Sequence, residues 1–173
     1  MKTTAIVYWL LPAKPKRDLF SEVVRILRKE FRGPIFEPHL TLCVSTKKAA
    51  SPNRFLQKIR AKPIRLKIRG IAFSEKFTKT LFVRFKSNPE LRKLANELSR
   101  AAKSRAEVPR DPHVSLLYRK IPRETKKELA KVIKLPFRSV RFDSIAAVRM
   151  TLPVRSAADV GKWKIIAKKS LRR

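Results

Sequence analysis

Hydrophobic and polar positions alternate along this chain in short blocks that change period, and those blocks come in the same order twice. Residues 4–11 are almost wholly apolar and predict a buried first strand. Residues 18–31 follow with Phe20, Val23, Val24, Leu27 and Phe31 along one helical stripe, closed by Gly33-Pro34. A strand is predicted over 39–44, a helix over 53–60 behind Ser51-Pro52, and an alternating strand over 64–69. The second half gives a strand over 80–85 and then a helix behind Asn88-Pro89 that carries Leu91, Leu94, Ala95 and Leu98. A strand over 113–118, a helix over 122–133 and an alternating strand over 138–143 complete the second copy, and further strands are expected over 145–150 and 163–166. Ile64 and Arg138, which open the two alternating strands, stand 74 positions apart.

The same offset separates the chain's two histidines. They sit in matching phrases, Glu37-Pro38-His39-Leu40-Thr41-Leu42 and Asp111-Pro112-His113-Val114-Ser115-Leu116. On a strand, residues two apart share a face, so His39 goes with Thr41 and His113 with Ser115, while the aliphatics point the other way into a core. The expectation is an α+β fold, one bilobal domain over 1–173 with repeat units at about 4–69 and 80–143. Two antiparallel-rich sheets with flanking helices would surround a central cleft, and each half would present its histidine strand to that cleft.

Two imidazoles across a cleft can divide acid and base work, one taking a proton from an attacking oxygen and the other giving one to a leaving oxygen. The Thr41 and Ser115 hydroxyls are placed to donate to the oxygens of a phosphoryl group held between them. No metal or cofactor is required, and two histidines without a nearby cysteine or carboxylate set make a poor metal site. A hydroxyl nucleophile activated by histidine ranks lower, since no G-x-S-x-G elbow occurs. Glu37 and Asp111 either orient the histidines or serve the turns made by the following prolines.

Composition adds a partner class. Forty-four Lys and Arg against 13 Asp and Glu give a formal net charge of +31, which favours anionic partners such as nucleotides or RNA, without choosing among them. Part of that charge lies on strand faces: Arg65, Lys67 and Arg69 alternate with aliphatics, and Arg84 shares a face with Lys86. Solvent exposure on a sheet edge is the plain alternative. Three glycines and no P-loop argue against a glycine-rich phosphate cradle. Cys43, the sole cysteine, is expected to be a partly buried, inert thiol; it fits a reducing, cytoplasmic setting. The apolar run at 5–13 is too short to span a bilayer and lacks a cleavage pattern, so no membrane span is expected. Residues 162–173 carry six basic residues and no acid, and read either as a strand or as a basic tail.

The two phrases resemble the paired H-x-T/S-x motifs of the two-histidine (2H) phosphoesterase superfamily. Trp9-Leu10-Leu11-Pro12, Phe36-Glu37-Pro38-His39 and Pro112-His113-Val114-Ser115-Leu116-Leu117-Tyr118 are similar to its cyclic phosphodiesterase branch. The resemblance implies metal-independent opening of 2′,3′-cyclic nucleotides or ADP-ribose 1″,2″-cyclic phosphate to a phosphomonoester; separately, a monomer is expected. His39 and His113 would be acid and base, Thr41 and Ser115 would hold phosphate oxygens, and Trp9 and Tyr118 would stack on a base. The charge raises two further expectations: an RNA end-processing or RNA ligase-like enzyme, and a catalytically idle RNA-binding module.

Overall fold

A computed structural model describes residues 1–46, 51–104 and 110–172. The strands are β1 (Thr3–Pro12), β2 (Leu40–Ser45), β3 (Ile64–Phe73), β4 (Leu81–Phe85), β5 (His113–Leu117), β6 (Ser139–Leu152) and β7 (Lys164–Ser170). The helices are α1 (Lys16–Phe31), α2 (Pro52–Lys58), α3 (Pro89–Ala101), α4 (Arg123–Val132) and α5 (Ala157–Gly161), with a 3₁₀ turn at Phe77–Lys79.

α1 to α4 form close to their expected positions, whereas α5 had no counterpart in the sequence reading. α1 buries Phe20, Val24 and Leu27. Its left-handed terminal residue is Arg32 (φ 55°) rather than Gly33. Gly33 serves a close approach instead: a Cβ there would meet the Tyr118 carbonyl oxygen at 3.2 Å. α3 starts on Asn88, whose side chain accepts a hydrogen bond from the Leu91 amide at 2.9 Å, and Pro89 follows where no donor is needed.

All ladders are antiparallel, and the expected two sheets run into one another along the path β2-β1-β6-β3-β4-β5, with β7 also on β6. Residues 64–67 pair with 139–142 at the centre of that path, and Leu66 faces Val140 there, positions 74 apart. Beyond this ladder β3 turns to β4 while β6 continues between β1 and β7. In β1, Tyr8 and Leu10 point into the large core beneath the helices. Ala5, Val7, Trp9 and Leu11 point the other way, toward Ala146, Val148 and Met150.

Two strand boundaries differ from expectation for one reason. The ladders skip Arg69 in β3, where Ile68 pairs Phe85 and Gly70 pairs Arg84, and skip Asp143 in β6, where Phe142 pairs Pro12 and Ser144 pairs Leu11. A bulge reverses which residues face the core while backbone pairing goes on. The alternating pattern therefore breaks at both places, so 64–69 reads as ended and 138–143 reads as separate from 145–150. The basic segment is a strand, with Leu171 buried behind it.

Gly70 carries the second bulge position at φ 144°, a conformation that side chains resist, with no atom within 4 Å of where a Cβ would stand. Gly70→Ala is expected to lower stability by about 1–3 kcal/mol through backbone strain alone. Urea unfolding checks this: the midpoint falls at unchanged slope, and an unchanged midpoint would show that the bulge tolerates a side chain.

Candidate active site

Both histidine strands are built by the same irregular ladder. Tyr8 pairs Cys43 and Trp9 pairs Thr41, skipping Leu42; Leu81 pairs Leu117 and Phe82 pairs Ser115, skipping Leu116. Each bulge falls three residues after a histidine. It buries two consecutive residues in the core, Leu42 with Cys43 and Leu116 with Leu117. His39 and Thr41, and His113 and Ser115, stay on the opposite side. All four line one cavity of ≈ 810 Å³, together with Trp9 and Tyr118.

The rings are held in one orientation. His39 Nδ1 lies 2.6 Å from the Glu37 carbonyl oxygen and His113 Nδ1 2.8 Å from that of Asp111. A carbonyl only accepts, so each Nδ1 donates and the lone pair of the neutral ring sits on Nε2. The main chains of Glu37 and Asp111 thus orient the imidazoles. Their carboxylates do something else: Asp111 takes Lys79 Nζ at 2.7 Å and Arg84 Nε at 2.9 Å, and Glu37 lies 3.7 Å from Arg17. Burial pushes the Asp111 carboxyl up, but the Lys79 and Arg84 hydrogen bonds outweigh it and hold the group below its usual range.

Burial lowers His39 to about 4, against an opposing hydrogen bond to Glu37, and the charge of His113 lowers it further. His113 is lowered by burial too, then by Lys79 and Lys76, against the Asp111 carbonyl and carboxylate. Both rings are neutral at pH 7 in the free protein. On the opposite, core-facing side, burial pushes the Cys43 thiol up to about 11, against a hydrogen bond from Ser99, and keeps it inert.

Three of the expected site residues already have partners within the protein. Trp9 is 2% exposed and lies stacked on His39, with ring centroids 3.7 Å apart, so one face of its indole backs the imidazole. Tyr118 is 3% exposed and stacked on Phe36 at 3.9 Å. Ser115 donates to the Thr78 carbonyl oxygen at 2.9 Å and hydrogen-bonds the Tyr118 hydroxyl, so its proton is already committed. Thr41 makes no such bond among the described residues.

Three contributors were not legible as site residues. Trp163 lines the cavity and meets Trp9, His39 and Tyr118 edge-on at 5.4, 6.0 and 5.9 Å. It is only partly buried, and its lone aromatic character inside a basic segment was the available signal. Phe82 meets His113 edge-on at 5.2 Å, at the ladder position that Trp9 holds for His39. Lys79 reaches the cavity from the 3₁₀ turn, its ammonium 4.4 Å above the Phe82 ring. Among the described residues no three His, Cys, Asp or Glu side chains gather to hold a metal ion, and no helix is long and apolar enough to cross a membrane.

An antiparallel sheet with α1 to α4 on one face and a pair of histidines from matching strands on the other is the architecture of a two-histidine phosphoesterase. Solved structures agree in fold: Escherichia coli LigT in apo form aligns over all of both chains with TM-score 0.59 and 18% identity. LigT complexed with 3′-AMP covers 98% of this chain and 99% of its own, with TM-score 0.58 and 16% identity. The family model for cyclic phosphodiesterase-like proteins matches residues 3–171, and the chain belongs to that family of phosphoric diester hydrolases. A cyclic phosphodiesterase of Arabidopsis thaliana is 26% identical over 122 residues, covering 69% of this chain and 67% of that protein.

The depressed His39 predicts a pH dependence of stability. Between the ordinary value of 6.5 and about 4 the unfolded chain binds the proton that the folded chain refuses, so stability is full above pH 6.5 and is lost as pH falls through 4. The His39 share of that loss is on the order of 3 kcal/mol. Denaturation of wild type and His39→Gln across this range checks it: the variant should lose distinctly less, and parallel curves would contradict the assignment.

Proposed function

We propose that this protein is a cyclic phosphodiesterase that opens a nucleoside 2′,3′-cyclic phosphate, or a chemically similar ADP-ribose cyclic phosphate, to a phosphomonoester by paired-histidine acid/base catalysis. The observation that carries this reading is the pair of Nδ1–H···O=C bonds, which leaves both Nε2 atoms as the proton-exchanging positions beside one cavity. Neutral Nε2 of one ring takes a proton from water as its oxygen attacks phosphorus. The ring P–O bond breaks, and the departing ribose oxygen receives a proton from Nε2–H of the other ring. The second ring becomes protonated as the anionic substrate arrives, because a phosphate beside it favours the charged form. Thr41 donates to a non-bridging oxygen, and Ser115 joins only by turning away from Thr78. Trp163, the partly exposed aromatic of the cavity, takes the base-facing role first expected of Trp9 and Tyr118.

The reading extends to one bilobal domain with repeat units near 4–69 and 80–143, supported by the matched bulges at Leu42 and Leu116 and at Arg69 and Asp143. A monomer suffices, since one chain lines the cavity, and a single buried thiol suits the cytoplasm. The second reading, RNA end processing, rests on the charge of +31. An idle binding module would retain neither activity nor a reason for both fixed tautomers.

Hydrolysis of 2′,3′-cyclic AMP with chelator present tests the reading. Wild type turns over, while His39→Ala and His113→Ala each lose on the order of a hundredfold or more; variants equal to wild type would end it. The profile of kcat/KM against pH should peak between about 4 and the ordinary 6.5 and fall toward alkaline pH, since only the singly protonated pair is active and both free rings are lowered. A maximum above pH 7 would contradict these environments. Thr41→Ala should lower kcat on the order of a hundredfold.

A further inference from the structure

Central strands carry a row of cations in register on the sheet face opposite the helices. Arg65 of β3 stands directly opposite Arg141 of β6, and both are exposed. One rung away, the Lys86 amide donates to the Lys67 carbonyl at 2.8 Å, which sets these two exposed lysines side by side. Ladder partners share a face, and the faces can be traced. Ile64, Leu66, Phe85, Val140 and Phe142 point into the core, so the four cations point away from it, onto the side that bears His113 and its partner Arg84.

Like charges directly opposite in a sheet destabilise it. Some cations are paired: Arg25 with Glu22, Lys131 with Glu128, and Lys79 and Arg84 with Asp111. Among the described residues no carboxylate lies within ion-pair distance of Arg65, Lys67, Lys86 or Arg141. β3 pairs β6 over residues 64–67 and β4 from Ile68 onward, so these cations stand where the two ladders meet. A basic surface serving only solubility would spread its charges apart. Two like-charged rungs on central strands instead concentrate positive potential in a band that leads away from Arg84, beside His113.

We propose that this band binds the backbone of a single-stranded nucleic acid, and that the preferred substrate is an oligoribonucleotide whose cyclic phosphate end sits between the histidines while upstream phosphates lie on Arg65, Lys67, Lys86 and Arg141. The inference rests on the proposed cyclic phosphodiesterase reading and names its substrate class. Phosphate neutralisation removes the repulsion across both rungs, and the released counterions make binding salt-dependent.

The test compares wild type with the triple variant Arg65→Thr, Lys67→Thr, Arg141→Thr on 2′,3′-cyclic AMP and on a ten-nucleotide RNA ending in 2′,3′-cyclic phosphate. The variant should lose on the order of tenfold or more in kcat/KM on the RNA at about 0.1 M salt and nothing on the mononucleotide. The slope of log affinity against log salt should fall by about 0.7 for each cation removed. Equal loss on both substrates, or an unchanged RNA slope, overturns the track. If wild type opens neither substrate, the cyclic phosphodiesterase reading fails instead. Binding of the same RNA, followed by fluorescence anisotropy, then still decides the track: weakened binding in the variant supports it, and equal binding rejects it.

Discussion

The pairing of residues 64–67 with 139–142 is the constraint on which the cleft depends. Each of these strands belongs by sequence to one half of the chain and then pairs with the first strand of the other half, β3 with β4 and β6 with β1. Neither histidine strand reaches the centre of the sheet by itself. β2 is held through β1, and β5 through β4. A shift of one residue in the central ladder would turn every dependent side chain to the opposite face. Leu66, Val140 and Phe142 resist that shift because all three are buried in the core.

Two levels of bulging convert this frame into a site. Those at Arg69 and Asp143 fall where β3 leaves β6 for β4 and where β6 passes on to β1. The bulges at Leu42 and Leu116 give each histidine strand two adjacent core anchors while the histidine side stays free. Rings anchored on aromatic neighbours and on carbonyls two residues back lose little freedom when a ligand arrives. Burial then makes both imidazoles neutral, at an expense in stability that the packed core offsets.

The histidine phrases were legible because their information is local: a spacing of two on a strand, repeated intact 74 positions later. Helix positions were legible from apolar stripes and from Pro and Asn signals at their starts. What escaped was non-local or broke periodicity. The bulges at Arg69 and Asp143 reverse the alternation, so one long strand looked like two. Trp163, Phe82 and Lys79 meet the histidines only through tertiary packing, and nothing in their neighbourhoods along the chain marks them. Trp9 and Tyr118 do line the cavity, but whether an aromatic ring backs a histidine or faces a base depends on which of its faces is already covered. The hydrogen bond of Ser115 was not legible for a similar reason, since its acceptor, the Thr78 carbonyl, belongs to a turn with no sequence signature.

The central claim is that two imidazoles, both neutral with the lone pair on Nε2 in the free protein, act together on one phosphate once one of them has gained a proton. Nitrogen-15 NMR of the two histidines, titrated with a nucleoside 2′-monophosphate, tests it most directly. At pH 7 the free protein should show two neutral rings protonated on Nδ1, and ligand should raise the pKa of both together. A ring protonated on Nε2, or a ligand that moves one histidine and leaves the other untouched, would contradict the paired mechanism.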